Sequence, residues 1–580
     1  MAYDIYTLGV PHAWPHRLLH IPSMTSREWK PGNVYGLDTE PSYAILSYTW
    51  GRYEVPDGPR LKIKGIDWQV PSINVNHFTV ADLNRLLEQV MLKDKYVWID
   101  IACIDQKREK EKMEEVGRQA IIFKGARQAY VWLNKHEPET LNQHMQVLMR
   151  CGYEYAQGNV DPLQAAEGML SSISRILQDP WFSSLWTLQE SVLQRHAILL
   201  NKRGEPVATN GPWTGQSAFC ELMEISGACG IARSLTDQAM QAESGAVHDG
   251  RLSLQSERLQ SLRTIIDESG IDFMLCPNPN IQYAAARFRK TSRPVDRIYA
   301  IMQVYGYRLG NSVTSIPRMR HFGLEDLELQ FLTTLTSRSA LLSQAFQHLK
   351  VPEAGQSWCI INHIRVPERF HNVIVHEQFL SSACTISVHK KSEAYFEGTA
   401  FTLRELLAFW KSRSQEMLTW LHKASDAPSE LKARNAYFRN GGYMDRVFKR
   451  AKQGVMMDCS QAMSFEWPPD TTVLDDRAEP IIECRVPELT RAADTLQAIG
   501  EAIVTRHSDM TPSVLYLGRT KHIESMEIAL VIVREGSVRS GLRMKKQDIW
   551  RRVGICFWHV EGGSVDDLAR LLRPLKGRFG

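Results

Sequence analysis

The 580-residue sequence holds ten cysteines but no C-x-x-C pair. That removes the usual signs of a thiolate zinc site or a disulfide framework and predicts reduced, mostly buried thiols. G-x-G-x-x-G, G-x-x-x-x-G-K-[ST] and G-x-S-x-G are also missing, the spacings that build Rossmann dinucleotide sites, P-loops and nucleophile elbows. No apolar run approaches the roughly 18 residues that span a bilayer. Met1-Ala2-Tyr3-Asp4-Ile5 lacks the basic and apolar regions of a secretory signal, so a soluble, cytoplasmic chain is expected. Nor is there an excess of one charge: 69 Lys and Arg face 65 Asp and Glu, a net +4, too little for a general attraction to nucleic acid or membrane. His12, His16 and His20 recur at helical spacing, but Pro15 breaks the helix that would gather them. His376-Glu377 lacks the second His of a zincin motif, and no metal is expected.

What is present is ordinary globular composition, 43% hydrophobic and 23% charged, in a chain long enough for several domains. Tyr43 to Tyr48 and Tyr96 to Ile101 read as buried strands flanking a helix over Val80–Leu92, whose Leu83, Leu86, Leu87 and Val90 share one face. The charged run Lys107 to Glu115 opens a further helix with a solvated face, and Ala129 to Leu133 is a third strand. This alternation predicts an α/β domain on a mostly parallel sheet. Asp179-Pro180 starts a helix expected to reach Arg195, with Trp181, Leu185, Leu188 and Val192 on its apolar stripe. His196 to Leu200 is a fourth strand, Thr236 to Glu257 a polar loop, and Val295–Tyr305 and Leu324–Leu349 are helical. Three apolar runs after Ser513 are strands, and Ser464 to Pro480 is a surface connection. Basic residues around 446–452 and 539–552 are interspersed with acids and carry no stacking aromatics, so they predict a solvated surface.

Ligands in an open parallel sheet sit beyond the carboxyl ends of the strands. Ser47-Tyr48-Thr49-Trp50-Gly51 and Asp100 through Gln106 end the first two strands, and Trp186-Thr187-Leu188-Gln189-Glu190 can lie alongside. Spacing alone reads Trp98, Trp132 and Trp181 as packing and Glu190 as a solvated helix residue. It leaves Asp100 open between a structural network and a pocket. The residues alone reach an α/β domain with one candidate pocket.

Tyr43 through Gly51, Trp98 through Gln106, Ala126 through Leu133 and Leu185 through Glu190 resemble, in order, the signature blocks of the fungal heterokaryon-incompatibility (HET) domain. Arg293 through Ala300 is similar to the segment that often follows that domain. Glu115, Gln119 and Phe123 stand where that family more often has Gln, Met and Tyr, a departure expected to affect a helix surface. The resemblance implies a HET domain over 1–205, a helical connection over 206–310 and a mixed α+β region over 311–580. It further implies a part in non-self recognition leading to cell death, and similarity to Toll/interleukin-1 receptor (TIR) domains with a flavodoxin-like sheet. Several TIR domains cleave NAD⁺ with a Glu in the spacing W-x-x-x-E, here Trp186 and Glu190. On that basis Glu190 is the expected catalytic residue, and Ser47, Trp50, Gly51, Asp100 and Trp186 line the substrate. NAD⁺ is then a substrate and no cofactor is required. The alternatives are a non-catalytic module that assembles with itself or with an incompatibility partner, and an activity residing after residue 310.

Overall fold

The computed structural model describes residues 14–49, 55–105, 107–208, 219–244, 254–271, 278–312 and 321–348, parts of 352–408, the pairs 465–466 and 481–482, and most of 511–580. These residues form two compact units, 1–327 and 328–580. In the first, four short strands precede the predicted ones: β1 (Arg17–His20), β2 (Thr25–Lys30), β3 (Val34–Tyr35) and β4 (Asp38–Thr39), each antiparallel to the one before. Gly32, Asn33 and Gly36 take positive φ at the turns, a conformation glycine adopts without a Cβ clash.

Tyr43-Ala44-Ile45-Leu46-Ser47 has no polar face, and all five residues are buried in β5 (Tyr43–Ser47). A strand of this kind needs cover on both faces, which parallel sheets with crossover helices supply. Helix α1 (Val80–Met91) provides one crossover. Thr79 and Asp82 form a reciprocal capping box at its start, and Leu83, Leu86, Leu87 and Val90 are buried. Thr79→Ala is expected to lower the unfolding free energy by about 1 kcal/mol, measured as a lower urea midpoint at unchanged slope.

After α1, β6 (Tyr96–Trp98) pairs in parallel with β5. The strand stops earlier than the sequence predicts, because Asp100 opens the one-turn helix α2 (Asp100–Cys103) and its Oδ1 accepts the Ile101 N–H at 2.8 Å. Asp competes for nearby backbone donors in this way and favours helix starts over strand interiors. Helices α3 (Glu109–Val116) and α4 (Gln119–Gly125) lead to β7 (Gln128–Trp132), which is parallel to β5 on its other side. The run opening α3 is solvated as expected, with Lys110–Glu114 and Lys112–Glu109 ion pairs at 3.9 and 3.8 Å, but its last residue, Glu115, is buried. Helices α5 (Pro138–Ala156), α6 (Pro162–Ile176) and α7 (Trp186–Leu193) precede β8 (Ile198–Leu200), parallel to β7.

The eight-stranded sheet has the order β4-β3-β2-β1-β6-β5-β7-β8, with β1 antiparallel to β6. It is therefore mixed, with a parallel half and an antiparallel half, where a mostly parallel sheet is predicted; the short strands before Tyr43 carry too little alternation to be read. Within the parallel half the chain steps from β5 to β6 and then crosses back over β5 to β7. The carboxyl end of β5 is thus a topological switch point, the place where open α/β sheets bind ligands.

Two further expectations are corrected. The helix predicted from Asp179 to Arg195 is interrupted: Asp179 caps a 3-10 turn, Pro180–Ser183, by accepting the Trp181 N–H at 2.9 Å, and Ser184 is extended. Ser184 forms a parallel bridge to Lys290, a long-range contact that overrides local helix propensity. The stretch from Thr236 is not a loop at its start, since α8 (Leu222–Ser244) runs through it and α9 (Leu254–Ser269) follows. Next come α10 (Pro279–Ala286) and α11 (Asp296–Met302), the latter matching the helix expected from Val295.

In the second unit the runs after Ser513 are strands Ser513–Thr520, Met526–Ser540 and Lys545–His559. With Ala394–Thr402 and Arg573–Phe579 their pairings close into a ring, a barrel-like arrangement more strongly β than the mixed region expected. The basic cluster there is not one solvated face: Arg552 is buried and donates to the Gln344 carbonyl at 3.3 Å, while Arg551 pairs with Glu535 at 2.5 Å. Most of Ser464–Pro480 lies outside the described residues. Among the described residues no helix is long and apolar enough to cross a membrane.

Candidate active site

Ser47 is the last residue of β5, at the switch point, and its hydroxyl is engaged twice. It donates to Glu190 Oε2 and accepts the Trp181 indole N–H at 2.7 Å. Glu190 lies in the middle of α7, one turn beyond Trp186. The residue keeps partial exposure, while burial of its carboxyl raises the pKa to about 8; the Ser47 hydrogen bond opposes that rise and the charge of Asp100 adds to it. A carboxyl held largely protonated at neutral pH is tuned as catalytic carboxyls are.

Asp100, the first residue of α2, lies near enough for its charge to act on Glu190. Its Oδ1 accepts the Tyr48 hydroxyl at 3.2 Å as well as the Ile101 amide. Burial raises the Tyr48 phenol well above its ordinary value, with Asp100 and Glu190 adding to the effect. The structure therefore brings together Ser47, Asp100 and Glu190 of the predicted residues. Asp100 takes part in a hydrogen-bond network, one of the two roles the sequence leaves open.

Trp186 lies close to the Asp296 carboxyl instead. Trp50 and Gly51 lie outside the described residues.

Trp181 is fully buried, as packing predicts, yet its N–H also fixes Ser47. The signal for this in the sequence is only that a buried indole needs one acceptor. The departures from the family pattern lie inside rather than on a surface. Glu115, Gln119 and Phe123 are all buried, and Gln119 Oε1 accepts the Gln189 amide at 2.5 Å, directly beside Glu190. Burial raises the Glu115 carboxyl, against the pull of Arg118, 3.5 Å away.

These features define an α/β domain with a buried glutamate carboxyl of raised pKa, Glu190, at the switch point of its parallel strands. Residues 43–190, from the first residue of β5 to Glu190 itself, match the family model described as "Heterokaryon incompatibility protein (HET)". That match supports a heterokaryon-incompatibility domain in this part of the chain. No curated protein and no solved structure matches the chain.

Proposed function

We propose that the chain acts in heterokaryon incompatibility by cleaving NAD⁺ to nicotinamide and ADP-ribose, leading to cell death in the cytoplasm, with Glu190 as the catalytic carboxylate. The observation that carries this reading is the Trp181–Ser47–Glu190 hydrogen-bond chain at the end of β5. The order β6-β5-β7-β8 is that of flavodoxin-like sheets, which favours the TIR-like reading of the parallel half.

The nicotinamide of NAD⁺ is already cationic. When the C1′–N bond breaks, its electron pair leaves with the ring and no general acid is needed. The ribose becomes oxocarbenium-like, water adds its oxygen to C1′, and the water's proton is released. The protein must supply negative charge beside C1′, as glycosidases do. Glu190 provides it once ionised, and a cationic ring bound next to it favours that ionisation. Ser47 orients the carboxylate, and Asp100 with Tyr48 borders the ribose. Trp50 and Gly51, which follow β5 in sequence, would line the nicotinamide side.

The test is release of nicotinamide from NAD⁺ by the purified full-length chain. Release that Glu190→Gln abolishes is expected. No release, even from concentrated or assembled protein, would overturn the reading in favour of an assembly module. Release that survives the substitution would place the activity elsewhere in the chain.

A further inference from the structure

Helix α7 is only eight residues long and has no side-chain N-cap, too short to hold its own position in water. It is held by residues beyond the stretch that matches the family model. Arg289, 5% exposed, directs Nη1 to the Trp181 carbonyl at 3.4 Å, the Ser184 carbonyl at 3.2 Å and Thr187 Oγ1 at 3.3 Å. Its Nη2 donates to the Ser269 carbonyl at 2.5 Å. Beside it, the Lys290 amide donates to Ser183 O at 2.8 Å and the Leu185 amide to Lys290 O at 3.1 Å. Asp296, close to Trp186, accepts the Thr291 hydroxyl at 3.0 Å.

A guanidinium offers five donors in a rigid fork; here one arm, Nη1, reaches the turn from Trp181 to Thr187, and the other, Nη2, ties it to the Ser269 carbonyl. That turn carries, at one end, the indole that holds Ser47 and, at the other, the start of the helix that carries Glu190. We propose that Arg289 is a positioning residue for Glu190, fixing the Trp181–Thr187 turn so that the carboxyl meets Ser47. Burying a charge among carbonyls is costly compared with an apolar side chain of similar volume, and registering two functional groups at once gives that cost a purpose. The inference rests on the reading of Glu190 as catalytic, but its geometry stands apart from it.

The test uses the full-length chain with Arg289→Met, which keeps the volume, and Arg289→Lys, which keeps the charge and loses the fork. For NAD⁺ cleavage Arg289→Met is expected to lower kcat by about 10²-fold with KM within about twofold, since Arg289 does not touch substrate; Arg289→Lys falls between. A second readout needs no turnover. Infrared difference spectra of ¹³C-glutamate-labelled protein, taken against Glu190→Gln, report the titration of this carboxyl. Arg289→Met, which loosens the Ser47 contact that holds this carboxyl down, should move its midpoint above about 8. A folded Arg289→Met chain with unchanged kcat and unchanged titration would overturn the proposal. If the Met variant does not fold, Arg289→Lys decides by the same two measurements. If the wild type releases no nicotinamide, the reading of function falls while the infrared titration still decides the positioning role.

Discussion

Glu190→Gln is expected to reduce nicotinamide release by at least about 10²–10³-fold, the usual size of a lost electrostatic contact to a transition state, while leaving the circular dichroism spectrum unchanged. The same substitution should change stability in a pH-dependent way. Burial places the folded carboxyl at about 8, against about 4.3 for an unperturbed Glu. Between those values the folded chain holds a proton that the unfolded chain has released, so this group's contribution is intact below the lower value and is lost as pH climbs through 8. Gln is neutral throughout. The variant should match wild type near pH 5 and exceed it near pH 9 by an amount on the order of a few kcal/mol. Urea unfolding at the two pH values measures this, and a variant less stable than wild type at pH 9 would contradict a desolvated Glu190.

Ser47→Ala should be the other large effect, because one hydroxyl serves two partners. Its loss leaves the Trp181 N–H, in a fully buried side chain, without an acceptor, a cost of about 1–3 kcal/mol. It also removes the hydrogen bond that holds the Glu190 pKa down. Because the ionised carboxylate is the active form, kcat/KM for NAD⁺ should rise with pH through about 8 in wild type. In Ser47→Ala that limb moves to higher pH, and a shift of one unit makes the variant about tenfold slower at neutral pH from this cause alone. A profile that moves to lower pH, or a flat one, would remove Ser47 from the role given to it. Ser47→Thr keeps a hydroxyl and should retain part of the wild-type profile.

Much of the parallel half of the sheet was legible because its strands are continuous apolar runs. Tyr43–Ser47 and Gln128–Trp132 fall within a residue of expectation at each end. Capping chemistry was legible at Asp179, whose side chain starts a turn of helix as expected. What escaped the sequence is decided between distant segments. The break at Ser184 exists because Lys290 pairs with it, and Trp186 is brought close to Asp296 by the same segment. Neither has a local signature. Glu190 looks like any helix glutamate until β5 is folded against it, because its partner lies 143 residues away. The β1–β4 strands were unreadable for the opposite reason, each offering six residues or fewer for a pattern.

The parallel bridge between Ser184 and Lys290 bears on how such genes can be recombined. A hybrid spliced anywhere between residues 200 and 280 would inherit its carboxylate from one parent and the guanidinium fork from the other. Unless the two parents agree at both segments, the hybrid would fold its strands correctly and still misplace α7. The stretch 181–190 and the stretch 269–296 should therefore be exchanged together, as a single unit of inheritance, whenever specificity is transferred between relatives.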